Sequence, residues 1–191
     1  WVMGTFETTC ASIVAPMFEP FSSFQTPNCW IESGSESWNY STFADYAAAF
    51  AGDYTDGGNT NYAWIDGSTP NGSNQISTLT TQPIDISNLS VPALQFALFS
   101  YNNSLNDYNT IEVEVFDGNN WLNLVTNQGP TAGNDWELKT FDLSGLSLPN
   151  EISVRFTITE SGNTPYNNDI LLDDFRVFEL PACPNTPSNI N

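Results

Sequence analysis

Histidine is absent from this chain of 191 residues, and Lys and Arg together number only three. The first absence excludes Ser-His-Asp and Cys-His catalysis, and any zinc site with a His ligand. The second stands against 22 Asp and Glu, a formal net charge of -19. Such a surface repels nucleic acid and anionic lipid, since both need basic side chains to neutralise phosphate. Cysteine is scarce as well: Cys10, Cys29 and Cys183 contain no C-x-x-C pair, so a thiolate cluster has no template. An odd count in a secreted chain points to one disulfide and one leftover thiol. No run approaches the ~18 apolar residues of a membrane-spanning helix, so no membrane insertion is expected. No basic stretch leads into an apolar one at the start, and the first residue is Trp1. The expectation is a mature fragment whose export signal lies elsewhere.

What is present reads as one globular domain, since hydrophobic residues make up 40% of the chain and this length carries a single good core. Acidity with a single Lys is a solubility strategy where salt screens charge, which points to an extracellular, marine setting. So many carboxylates repel one another unless something offsets them, and bound divalent cations are the obvious agent.

Strand signals dominate. LQFALFSY (Leu94 to Tyr101) is apolar and aromatic, TIEVEVFDG (Thr110 to Gly118) alternates with period two, and NWLNLV (Asn120 to Val125) follows a turn of Asp117, Gly118, Asn119 and Asn120. That turn chemistry predicts a hairpin. WELKTFDL (Trp136 to Leu143), EISVRFTITE (Glu151 to Glu160) and LLDDFRVFEL (Leu171 to Leu180) complete the series, with only FADYAAAFAG (Phe43 to Gly52) offering a short helical turn. The spacing predicts an all-β antiparallel β-sandwich, a jelly roll. Ile152, Val154, Phe156 and Ile158 point one way, with Ser153, Arg155, Thr157 and Thr159 opposite them. Likewise Ile111, Val113 and Val115 point in, and Glu112, Glu114 and Phe116 out. The ends differ from the middle. Residues 1–11 read as the tail strand of an upstream module or a linker, 12–181 as the jelly-roll domain, and 182–191 as a linker or the start of a next module.

Asp173 and Asp174 sit within a strand otherwise rich in Leu, Phe and Val. Period two puts one of them on the apolar face, where an unpaired carboxylate costs several kcal/mol. Only Lys139, Arg155 and Arg176 are available to pair it. Oxygen ligands without His or Cys suit Ca²⁺ in a structural role.

Four pieces, in order, carry a resemblance. They are FEPF (Phe18 to Phe21), NCW (Asn28 to Trp30), GDYT with YAWIDGS (Gly52 to Thr55, Tyr62 to Ser68), and LLDDFRVF (Leu171 to Phe178). Together they resemble the MAM family and its bacterial relatives over Phe18 to Phe178, with Tyr54 where the family has His. WVMGTFETTC and CPNTPSNIN resemble the edges of fibronectin type III modules that flank such domains in bacterial secreted multidomain proteins. The resemblance implies a jelly roll, an extracellular location, an adhesive or binding role, and no catalytic residues. It places a cation among Glu19, Asp53 and Asp173 or Asp174; Asp56 and Asp66, nearby in sequence, are further candidates. It also implies that the first and last strands pair, which favours a Cys10–Cys183 bridge and leaves Cys29 free. Cys10–Cys29 stays open as the alternative.

Trp38, Tyr40, Tyr46, Tyr54, Tyr101, Tyr108, Trp121 and Tyr166 lie in polar surroundings, and Asn102, Asn103, Asn106 and Asn109 surround two of them. Sugar C–H faces pack on such rings while hydroxyls bond to Asn, Gln and Asp. Arg155, Lys139 and Arg176 are the only cations for a sulfated ligand, so a neutral or sparsely charged polymer, an algal galactan such as agar or porphyran, fits better. EVEVFD (Glu112 to Asp117) superficially resembles the catalytic strand of some jelly-roll glycoside hydrolases. Carboxylates at i and i+2 lie about 6.6 Å apart along a strand, against roughly 5–5.5 Å for retaining chemistry, and the motif's order of Asp and Glu is inverted. The expectation is therefore a non-catalytic carbohydrate-binding module of a secreted bacterial polysaccharide-degrading enzyme, linked to its neighbouring modules. The alternative is an adhesion or spacer domain of a secreted protease or surface protein, acting through protein contacts.

Overall fold

A computed structural model describes residues 10–44, 51–55, 61–67, 75–101, 108–161 and 169–181. In chain order its strands are β1 (Ile13–Val14), β2 (Met17–Glu19), β3 (Ile31–Gly34), β4 (Asn39–Ser41), β5 (Tyr62–Ile65), β6 (Ile76–Thr80) and β7 (Ile84–Asp85). There follow β8 (Pro92–Ser100), β9 (Thr110–Phe116), β10 (Trp121–Gln128), β11 (Glu137–Asp142), β12 (Glu151–Thr159) and β13 (Ile170–Glu179). Each strand of the series from Leu94 to Leu180 is present, while the tail strand expected at residues 1–11 and the linker at 182–191 lie almost wholly outside the described residues. The possible helical turn at Phe43 to Gly52 falls largely outside the described residues.

The strands form the two sheets of an antiparallel β-sandwich. In the first, β12 is central, with β9 and then β10 on one side, and β6 continued by β7, then β3 and β1, on the other. In the second, β13 is central, with β8 and then β11 on one side, and β5 and β2 on the other, β4 lying beyond β5. The expected hairpin is β9–β10, where Asp117 Oδ1 accepts the Asn119 and Asn120 N–H groups at 2.8 and 2.6 Å and Gly118 takes φ 93°. Gly34 lies against the backbone of Ile76 and Ser77 with φ 118°, so an L side chain meets both steric and conformational strain there.

Alternation builds the core. Ile152, Val154, Phe156 and Ile158 of β12 meet Leu94, Phe96 and Leu98 of β8 and Leu172, Phe175 and Val177 of β13. Phe96, Phe156, Phe175, Trp30 and Phe21 form a chain of edge-to-face rings across the sandwich, with centroids 5.2–5.8 Å apart. Each such pair contributes about 0.5–1.5 kcal/mol beyond the area it buries.

The disulfide joins Cys10 to Cys29, with Cα atoms 5.9 Å apart. This corrects the favoured Cys10–Cys183 pairing; Cys183 itself lies outside the described residues. The reason is topological. The chain after Cys10 enters β1, which pairs with β7 in the first sheet, and reaches β13 only through β2, after the cis Ala15–Pro16 bond. Cys10 therefore lies beside the segment that leads into β3. The bridge closes a loop of 19 residues, and the double variant Cys10→Ser/Cys29→Ser is expected to lose about 3 kcal/mol in the chain-entropy account. Denaturant unfolding of variant against parent measures it; equal midpoints would rule it out.

Candidate ligand-binding face

The outer face of the first sheet is assembled by register. Ile31, Thr80, Arg155, Glu114 and Asn123 are successive Cα partners, so they form one row across β3, β6, β12, β9 and β10. One pair further along, Ser153, Phe116 and Trp121 form a second row. On the other side lie Ser33, Thr78, Thr157 and Glu112. The outward set expected for β9 and β12 is thus observed, and it faces solvent half-buried.

Arg155 organises the centre. Its Nε and Nη2 both donate to Glu114 Oε2, at 2.8 and 2.6 Å. Its guanidinium lies 4.1 Å from the Trp121 ring centroid, and Phe116 packs on the same indole at 5.1 Å. A cation over an indole face is worth about 0.5–1 kcal/mol at an exposed site, more when desolvated. The indole is thereby held in one orientation. Beside it runs an open groove of about 580 Å³, lined by Trp30, Ile31, Thr80, Pro83, Phe116, Trp121 and Ser153 among others, with the Cys10–Cys29 bridge at its wall. Aromatic surface, aliphatic surface and hydroxyls line one trough, the chemistry a sugar ring with its C–H face and hydroxyls can meet. The basic charge on this face is already committed to Glu114.

The other proposed aromatic residues go elsewhere. Trp38 and Tyr40 do not belong to a binding face: they are 5% and 8% exposed. Tyr40 stacks on Phe21 and donates its hydroxyl to Glu32 Oε1 at 3.0 Å, and burial together with that carboxylate pushes its phenol far up. Polar neighbours in sequence conceal this, because β4 turns these rings into the sandwich. Tyr54 and Tyr101 pack with Trp136 in a second cluster, with Tyr62, Trp64, Phe99 and Leu171, on the outer side of the second sheet. Tyr108 is 40% exposed, near the opposite end of the β9–β10 hairpin from Trp121, against Gly129. Tyr46 and Tyr166 lie outside the described residues. Ile31, Thr80 and Ser153 carried no signal as site residues, since only strand register brings them to Trp121.

The acids divide into two groups. Asp53, Asp173 and Asp174 come together. Asp173 is fully buried, accepts the Tyr54 N–H at 3.2 Å, and shares a hydrogen bond with Asp53. Thr55 donates to Asp53 Oδ1 at 3.1 Å through its N–H and to Asp174 Oδ1 at 2.8 Å through its hydroxyl. Burial, then the bond to Asp53, pushes Asp173 up to about 8. Asp173 does not face the central core. Leu171 belongs to the second cluster and Leu172 to the core, so alternation turns Asp173 outward, under the 53–55 loop. A bulge with Asp174 at φ 49° then returns Phe175 to the core. Glu19 pairs with Phe175 on the neighbouring strand and accepts the Phe21 N–H at 2.7 Å; burial raises it. Asp66 does not join this group. It follows β5 at the end where Ile65 meets Ile170, and it bears on Glu160 instead. Burial, with Glu36 and Asp66 nearby, pushes Glu160 up to about 7. Asp56 lies outside the described residues. Among the described residues no three acids form a ready chelating group.

No family profile and no curated protein matches the sequence. The fold is similar to solved structures. One is the K1 cleaved adhesin domain of Lys-gingipain from Porphyromonas gingivalis W83, with a TM-score of 0.53 and 16% identity over 87% of this chain and 99% of that one. The K2 cleaved adhesin domain of Lys-gingipain gives 0.54 and 17% over 87% and 100%. The CBM22-1 xylan-binding domain of Paenibacillus barcinonensis Xyn10C gives 0.50 and 15% over 91% and 100%. This chain is accordingly a β-sandwich of the kind found in carbohydrate-binding modules and adhesin domains. Among the described residues no helix is long and apolar enough to cross a membrane.

Proposed function

We propose that this chain is a non-catalytic carbohydrate-binding module of a secreted bacterial protein, holding a polysaccharide in the groove beside Trp121 and so keeping its parent enzyme on the substrate. The observation that carries the reading is Trp121, fixed by Arg155 and Phe116 beside a trough of aromatic, aliphatic and hydroxyl surface. Its carboxylates and its committed arginine favour a neutral or sparsely charged polymer, the agar or porphyran class, over a highly sulfated one. The likeness to a xylan-binding domain supports the class of ligand, and the MAM-like motifs support a binding role without catalysis.

Calcium belongs to the same reading. Asp53, Asp173 and Asp174 offer oxygen donors only, and burial beside Asp53 disfavours the Asp173 anion, a cost that a bound cation would offset. These residues, with Glu19 on the adjoining strand, would hold a structural Ca²⁺ that ties the 53–55 loop to β13. The likeness to adhesin domains favours a second reading, an adhesion or spacer module acting through protein contacts.

Native affinity electrophoresis with calcium present, against agar, porphyran, carrageenan, alginate, laminarin and cellulose, tests the proposal. Retardation by one polymer, with no new reducing ends released from it, supports a non-catalytic module. Free migration through all of them overturns it in favour of the adhesion reading.

A further inference from the structure

A second cluster of oxygen donors lies at one end of the sandwich, away from Asp173. Glu160 follows β12, Asp66 follows β5, and Glu36 follows β3. Two of these ends meet the start of β6: Glu160 N–H donates to Gln75 O at 2.9 Å and Glu36 N–H to Ser77 Oγ at 3.0 Å. Ser161 N–H donates to Asn109 Oδ1 at 2.8 Å, and Gly67 N–H to Asp169 Oδ1 at 2.9 Å.

Glu160 is the anomaly. It is 3% exposed, and among the described residues neither carboxylate oxygen has a hydrogen-bond partner. A buried carboxylate with neither donor nor countercharge is among the costliest groups a fold can hold. The fold supplies no positive side chain for it. Lys139 pairs with Glu137, Arg155 with Glu114, and Arg176 donates to Gln95 beside Phe178. The charges that act on Glu160 are negative, those of Glu36 and Asp66.

We propose that this end of the sandwich is a cation site of its own, with Glu160 as its buried anchor and Asp66 and Glu36 as flanking ligands for Ca²⁺. As they lie, the acids do not already chelate an ion together, so the flanking carboxylates close on it and water completes its shell. Ca²⁺ suits this better than Mg²⁺, because it takes 6–8 oxygens in flexible geometry while Mg²⁺ demands a near-ideal octahedron. The ion would knit the ends of β12, β5 and β3, and so fasten the two sheets to each other where Glu160 has no protein partner. The reading is independent of the calcium proposed at Asp173.

The test is isothermal titration of the chelator-treated full chain with CaCl₂ near pH 8, for parent, Glu160→Gln, Asp173→Asn and the double variant. The expected result is one bound ion fewer per chain in Glu160→Gln than in the parent, and a further loss in the double variant. Glu160→Gln also melts higher than the parent in chelator, since a buried charge is gone, and gains less from calcium. Asp66→Asn, should Glu160→Gln fail to fold, weakens the same ion about tenfold, the effect of roughly 1.4 kcal/mol. Unchanged stoichiometry and affinity in Glu160→Gln and Asp66→Asn overturns the site. Loss of an ion in Asp173→Asn alone overturns it too, while leaving calcium at Asp173 standing.

Discussion

Trp121→Ala abolishes retardation of the protein in polysaccharide gels while leaving the fold in place. The indole supplies the aromatic wall of the groove and is the partner on which Arg155 rests. Losing a large ring contact of this kind costs about 1.5–3 kcal/mol of binding, roughly ten- to a hundredfold in Kd. The cost to stability is smaller, because Trp121 is half-buried on an outer face and Arg155 keeps its bond to Glu114. Phe116→Ala acts in the same direction more weakly, by releasing the indole. Trp38→Ala is the contrasting variant. That ring lies 5% exposed in the core, and its removal costs about 3–5 kcal/mol of stability with no direct effect on the groove. Trp121→Ala that still binds the retained polymer at parental strength would remove this face from consideration.

The second large effect is on stability, through calcium and pH together. The Asp173 carboxyl is pushed up to about 8 in the folded protein from an ordinary 3.8. A raised acid stabilises the fold fully below its unfolded value, and that contribution is lost as pH climbs to the folded value. In chelator, the melting temperature should therefore fall between about pH 4 and pH 8, at up to about 1.4 kcal/mol per pH unit for one proton. If calcium binds as proposed, it takes the place of that proton, and its stabilising effect should grow over the same window. Repulsion among the surface acids grows as they ionise and lowers stability in the same direction, and Asp173→Asn separates the two effects. The variant should show a flatter decline in chelator and a smaller gain from calcium. A parent protein whose melting is indifferent to chelator across this range would sink calcium as a structural ligand.

How far the sequence reached follows from which physics is local. Period-two alternation in EISVRFTITE and TIEVEVFDG marks core and outer residues directly, because a strand sends successive side chains to opposite faces whatever its partners. The turn at Asp117 to Asn120 is equally local. The absence of His and the shortage of Lys and Arg likewise bounded the chemistry without reference to any fold. Tyr40 shows where locality ends. It sits among Ser and Asn, yet β4 at the edge of the second sheet turns it inward onto Phe21. The two strand-embedded acids behave in the same way. Alternation puts one of them on the core face, but the bulge at Asp174 keeps both out of the core, and Asp173 is buried under the 53–55 loop instead.

The sequence by itself therefore determined an all-β antiparallel sandwich, the inward and outward sets of its long strands, and a net charge of -19. Tertiary structure alone decided the rest, because each remaining feature depends on contacts between segments far apart in the chain. Strand register carries Ile31 and Thr80 to Arg155, Glu114 and Trp121. The passage of β1 into the first sheet, rather than against β13, sets Cys10 beside Cys29. Only the meeting of strand ends surrounds Glu160 with acids and leaves it without a basic partner, since no local pattern records which distant charge a side chain will face.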